Sequence, residues 1–130
     1  MEEALIARLL ASTALAALVG DRITPGRRDQ AAALPALVVH KIDAPRDYHL
    51  QGASGLIAAR MQVDCWGADY ASAKRAARAV AAAMSGARWS AAGVRFDGVL
   101  VEDESDDTFD DGSEALFRTR LDLMVHHAIA

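Results

Sequence analysis

The feature that most constrains this 130-residue chain is a pair of segments in which apolar and polar side chains alternate strictly. Between Leu56 and Trp66, Ala59, Met61, Val63 and Cys65 fall on one side, and Ala58, Arg60, Gln62, Asp64 and Trp66 on the other. Between Leu116 and His127, Phe117, Thr119, Leu121, Leu123 and Val125 oppose Arg118, Arg120, Asp122, Met124 and His126. Two is the side-chain period of a strand, and a strand with one apolar face must bury that face under a second layer. The chain is therefore committed to a sheet that is covered on one side.

Helices supply the cover. Glu2 to Val19 places Leu5, Leu9, Ser12 and Ala16 on one line, beside Ile6, Leu10, Thr13 and Ala17, with two acids at the positive end of the dipole and Gly20 as a stop. Tyr70 to Met84 follows a capping Asp69, turns Tyr70, Ala73, Ala77, Val80, Ala81 and Met84 inward and Lys74, Arg75 and Arg78 outward, and closes at Gly86. Two further short runs, Leu37 to Ile42 and Val94 to Val101, read as strands. The remaining segments read as connections: Asp21 to Ala36 with its Pro-Gly turn, Asp43 to Gly55 as an exposed arm, and the acidic stretch Glu102 to Glu114 as a loop. The order helix, strand, strand, helix, strand, strand predicts an α+β domain. It has an antiparallel or mixed sheet of about four main strands and two helices on one face.

At this length one domain spanning residues 1–130 is expected. Alanine supplies 29 residues and aromatics only 5%, so burial per residue is low and an oligomer interface would add to it. The net charge of −4 is unevenly spread. Eight acids and no base occupy Glu102 to Glu114, and 14 Lys and Arg against the 10 remaining acids leave the rest at +4. That mild excess lacks the concentrated basic stripe of a nucleic-acid binder. The apolar stretch from Ala4 has acids rather than bases before it and contains Arg8, which fits neither a signal peptide nor a membrane span; a cytoplasmic product is expected.

No enzyme chemistry is legible. The acids at 106, 110 and 114 with Gly112 miss calcium-loop spacing, and adjacent His126 and His127 point to opposite faces of a strand. Cys65 lies in line with Met61 and Val63 as a small core residue, and the chain carries no nucleophile elbow, phosphate loop or zinc-protease pattern. No cofactor or metal is expected. The polar sheet face, with Arg60, Gln62 and Asp64 on one strand and Arg118, Arg120 and Asp122 on the other, allows Arg to lie opposite Asp if the strands are antiparallel. That face is either solvated or turned towards neighbouring subunits or a ring lumen. The acidic run is a solvated loop, or a charge-complementary contact with another subunit.

Several ordered pieces are also shared with a known family. The opening EEALIARLLASTALAALVGDRITPG, then ALPALVVHKID, then GLIAARMQVDCWGADYASAKRAARAVAAAM, and finally LFRTRLDLMVHH resemble the tail completion, or tail terminator, proteins of long-tailed bacteriophages. The resemblance runs from about Glu3 to His127. It implies a non-enzymatic virion protein of the neck, between head and tail, assembled in the host cytoplasm as a six-fold ring. Such a ring caps the head-proximal end of the tail tube, ends its polymerisation and offers a surface for head-tail joining. Its implied partners are further copies of itself, the major tail tube protein and a head-tail connector or stopper. DNA would pass through the lumen without specific binding, and no membrane is involved. Other readings are a neighbouring neck connector and a small non-catalytic ligand-binding α+β domain. Contact segments are expected on the arm, at Arg46, Asp47 and Tyr48, and along the acidic run, at Glu102, Asp103, Asp106 and Asp107. Arg60, Asp64, Arg118 and Arg120 on the polar sheet face complete the candidate set, and Asp103, Asp106 and Asp107 are candidates for a lumen lining.

Overall fold

The structure, a computed structural model, describes residues 1–28, 33–49, 52–110 and 115–129. The elements run α1 (Glu2–Leu10), α2 (Thr13–Val19), β1 (Ile23–Pro25), β2 (Ala36–Asp43), β3 (Arg46–His49), β4 (Gly52–Gly67), α3 (Tyr70–Met84), β5 (Trp89–Ala91), β6 (Val94–Asp110) and β7 (Ala115–Ile129). Seven strands form one mixed sheet in the order β1-β2-β4-β7-β6-β5, with β3 paired to β4 off that path. Only β1 and β2 are parallel. The α+β architecture holds, but with three helices and more strands than the alternation alone suggests.

The two alternating segments lie side by side at the centre. β4 and β7 pair antiparallel from Leu56 opposite Ala128 to Gly67 opposite Phe117. Their apolar rows, Ala59, Met61, Val63 and Cys65 with Leu121, Leu123 and Val125, are at most 1% exposed. Leu5 and Leu9 of α1, Leu15 and Val19 of α2, and Ala76, Ala77, Val80 and Met84 of α3 close over them. Burying one such side chain stabilises by about 1.5–3 kcal/mol, and the alanines far less, so leucine and valine carry this core.

The single helix expected over Glu2 to Val19 is two. Ser12 takes an extended backbone, φ −73° and ψ 118°, and its Oγ accepts a 3.3 Å hydrogen bond from the Leu15 amide. Serine competes for backbone donors more effectively as a cap than inside a helix, and here the cap outweighs continuity. The connection after Gly20 is also more ordered than expected. Arg22 donates from its side chain to the carbonyls of Pro35 and Leu18, which brings β1 beside β2.

The helix over Tyr70–Met84 starts where its cap places it: the Asp69 carboxylate accepts a 2.7 Å hydrogen bond from the Ser72 amide. Tyr70, expected inside, is 55% exposed, while Lys74, expected outside, is buried. Gly67 ends β4 against this helix, since a Cβ there would lie 2.6 Å from the Ala73 nitrogen.

Candidate subunit interface

The helices cover one face of the sheet and leave the other to its own polar side chains. Asp64 lies at the centre of that face and is only 3% exposed. It accepts a 2.8 Å hydrogen bond from Gln62 Nε2, contacts His40 Nε2 at 3.1 Å, and has Arg118 Nη1 at 3.8 Å. Arg118 donates to Asp107 from Nη2 at 2.6 Å and from Nε at 3.1 Å, and its guanidinium lies 5.5 Å from the Trp66 ring and 5.1 Å from the Phe109 ring. Charged hydrogen bonds and stacked guanidinium together hold one arginine in place more firmly than either would alone. The result is an open cleft of about 390 Å³ whose lining includes Arg28, His40, Asp64, Trp66 and Arg118.

The sequence reading placed Arg opposite Asp, and the register does put Asp64 opposite Arg120. The closer cation is nevertheless Arg118, two residues along on the same face, and the buried Arg120 Nε has no hydrogen-bond partner among the described residues. Arg60, 44% exposed, reaches across β7 to Glu102 at 3.3 Å.

The acidic run corrects the largest expectation. It is not a loop: β6 continues unbroken to Asp110 and pairs with β7 from Val94 opposite Ile129 to Asp110 opposite Ala115, with irregularities near Asp97 and Glu102. Six acids within nine residues disfavour a strand on propensity, but β7 supplies partners across the ladder. Asp107 faces Arg118, and the Thr119 hydroxyl donates to Asp106 at 3.0 Å. On the helix side, Lys74 of α3 reaches Glu104 at 3.0 Å and Asp106 at 2.8 Å. These bonds hold the Asp106 carboxyl below its ordinary range, Lys74 first among them, against the opposing effect of burial. The same carboxylates push the Lys74 ammonium up, so both groups stay charged near neutral pH.

The described limb, from Glu102 to Asp110, therefore carries six carboxylates; Arg60, Lys74 and Arg118 hold Glu102, Glu104, Asp106 and Asp107, and Asp110 also has a partner. Asp103 instead accepts from the Glu104 amide at 2.9 Å. Arg46, Asp47 and Tyr48 are on β3, so the arm is a hairpin with β4; their side chains fall outside the described part of the structure. Nothing in the sequence marked Lys74, His40 or Phe109 as members of these clusters, because their partners are distant in the chain and helix periodicity put Lys74 on the outer face.

Cys65 is buried, with burial and the neighbouring Asp64 charge pushing its thiol up, away from reactivity. His127 packs 6.1 Å from Phe96 inside while His126 is exposed. Among the described residues no three His, Cys, Asp or Glu side chains converge to hold a metal ion, and no helix is long and apolar enough to cross a membrane.

Comparison with solved structures finds the same fold in a chain from a structure described as the virion of a native gene transfer agent particle. The TM-score is 0.74 at 22% identity, over 95% of this chain and 91% of that one. A comparison with curated protein sequences finds no match. A family model described as tail completion protein gp17 matches residues 3–128, nearly the whole chain. The chain belongs to the tail completion protein gp17 family.

Proposed function

We propose that this chain is a structural virion protein that forms a ring, a hexamer by family resemblance, on the head-proximal end of a phage tail tube. In that position it ends tube polymerisation and offers the surface on which the head connector is joined. The observation that carries this reading is the family match over residues 3–128. The polarity of the molecule supports it: the chain outside the acidic run nets +4, and the limb of β6 projects a surplus of carboxylates. A closed ring repeats one heterologous contact, and opposite charges on two different patches would set its register. Of the three acids expected to line a lumen, Asp106 and Asp107 point to opposite faces of β6 and are held by Lys74 and Arg118, so Asp103 is the one that would present negative charge to any DNA that passes the ring. The neighbours in this reading are further copies of the chain, the tube protein and the head connector.

The test is electron microscopy of lysates in which this gene alone is disrupted in the element that encodes it. Overlong tubes detached from filled heads are the expected result. Tails of normal length with unjoined heads would move the chain to a connector role, and intact particles would overturn a role in the neck.

A further inference from the structure

We propose that the bare face of the sheet docks the outer stripe of α3 from a second copy, so that each copy supplies the helical layer its neighbour lacks. The inference rests on the ring reading for the presence of neighbouring copies, and adds which two surfaces meet. All three helices close over one face of the sheet. On the other face, Ala58 and Gln62 of β4 and Asp122 and Met124 of β7 are only half-buried. A sheet face of this kind is completed by a second layer.

Asp122 decides the charge of the occupant. Its cross-strand neighbours are Gln62 on β4 and Asp103 on β6, and it has no hydrogen bond or ion pair among the described residues. Like charges directly opposite are unfavourable until a cation reaches them. The other acids of the face are already held: Asp64 by Gln62 and His40, Glu102 by Arg60, and Asp107 by Arg118. Those three with Asp103 and Asp122 make five carboxylates against Arg60, Arg118 and Arg120, which leaves the face at −2. Two bare faces would therefore repel one another, and a basic surface is required.

α3 carries that surface. Ala71, Arg75, Arg78 and Ala82 are exposed and lie in line along the side of the helix turned away from its own sheet. Arg75 and Arg78 make no hydrogen bond or ion pair among the described residues, and the alanines beyond them let another surface approach. No other described element outside the bare face presents two such cations. Lys41, Lys74 and Arg95 are held by carboxylates of their own chain. Arg8 and Arg28 lie over the Trp89 and Trp66 rings, and Arg27 and Arg88 stand singly on connections. A helix about 10 Å across spans two strands about 4.8 Å apart, so α3 of the second copy fits over β4 and β7 with Asp122 beneath its arginines. Asp103, one strand further out on β6, borders that footprint. Helical stripe and bare face lie on opposite sides of the chain, so the contact is heterologous and repeats from copy to copy.

The test uses the full chain in cells that make the particle. A chain with Ala82→Cys and Met124→Cys, one on each surface, is treated after assembly with a short bismaleimide, to which the buried Cys65 is closed. A ladder of covalent multimers beyond the dimer is expected, and either new cysteine alone should leave monomers. Arg75→Glu with Arg78→Glu should cut the multimer yield about tenfold, and adding Asp122→Lys should restore it. If the Asp122→Lys chain loses its fold by circular dichroism, Asp122→Asn is read in its place and should by itself lower the yield about threefold. A closed ring whose paired cysteines give no product would keep the ring and overturn this contact. A ladder that stops at the dimer, or one indifferent to reversal of the two arginines, would also overturn it. A full ladder in an element whose tails keep their length when the gene is disrupted would uphold the contact and remove the terminator role, and neither ring nor ladder would remove both.

Discussion

Replacing Lys74 with methionine removes the cation that α3 places against the inner side of the acidic limb, while keeping most of the volume its stem fills. The Lys74 side chain is 11% exposed and its ammonium sits 3.0 Å from Glu104 and 2.8 Å from Asp106. At that distance a single pair at an effective dielectric of about 20 attracts by ~5 kcal/mol. The two carboxylates are 47% and 42% exposed, however, and solvent screening brings such pairs to roughly 1 kcal/mol or less each. Relief of the desolvation borne by Lys74 offsets part of the remainder, and the repulsion left between the two acids adds to it. The expected net loss for Lys74→Met is ~1 kcal/mol at pH 7 and low salt, seen as a drop of ~3–4 °C in Tm or a matching shift in urea midpoint. The pH dependence follows from the direction of the shift at Asp106. A carboxyl held low in the folded state contributes stability above its unfolded value of about 3.9 and loses it as pH falls through the lower folded value. The raised Lys74 contributes below its unfolded value of about 10.4 and loses that only at higher pH. The difference between wild type and Lys74→Met should therefore be constant from pH 6 to pH 9 and shrink steadily below pH 4. A variant more stable than wild type, or a difference unchanged between pH 7 and pH 3, would refute the assignment of Lys74 as the cation that pins the limb.

Three further outcomes follow from the fold. Gly67→Ala should destabilise by about 1–3 kcal/mol in urea unfolding, because its Cβ would lie 2.6 Å from the Ala73 nitrogen and force strand and helix apart. Ala92 has φ 52° in the two-residue turn between β5 and β6, followed by Gly93 at φ 77°; Ala92→Asn should raise Tm by a few degrees, as an Asn-Gly pair suits that turn. The Cys65 thiol, fully buried and pushed towards its protonated form, should react with a thiol reagent only at the rate of unfolding, measured by mass spectrometry.

How much of this was legible in the sequence depended on how far apart the partners lie. The alternation in Ala59, Met61, Val63 and Cys65, and in Thr119, Leu121, Leu123 and Val125, gave the central pair of strands and its buried face, because burial writes a period of two directly into the chain. Helix α3 was equally plain from Asp69 and the spacing of its small apolar residues. The break at Ser12 was less so, since serine fits both a cap and a helix surface until the packing is known. The acidic limb read as a loop because aspartate disfavours strands; the residues that overrule this, Arg118, Thr119 and Lys74, are 11 to 32 positions away from their partners. Asp64 showed as one of a row of polar residues, and its burial depends on His40 and Arg118 meeting it from two other strands. The polar face was thus foreseen as a surface, while the particular bonds that organise it came only with the fold.

The most direct test of the central claim is a density map of the intact particle made by the element that encodes this chain, at a resolution that traces side chains. The account predicts a single closed ring of this chain between the tail tube and the head, with the acidic limb of β6 from each copy in contact with a neighbouring subunit or facing the lumen. Finding the chain elsewhere in the particle, or as isolated copies that do not touch one another, would contradict it.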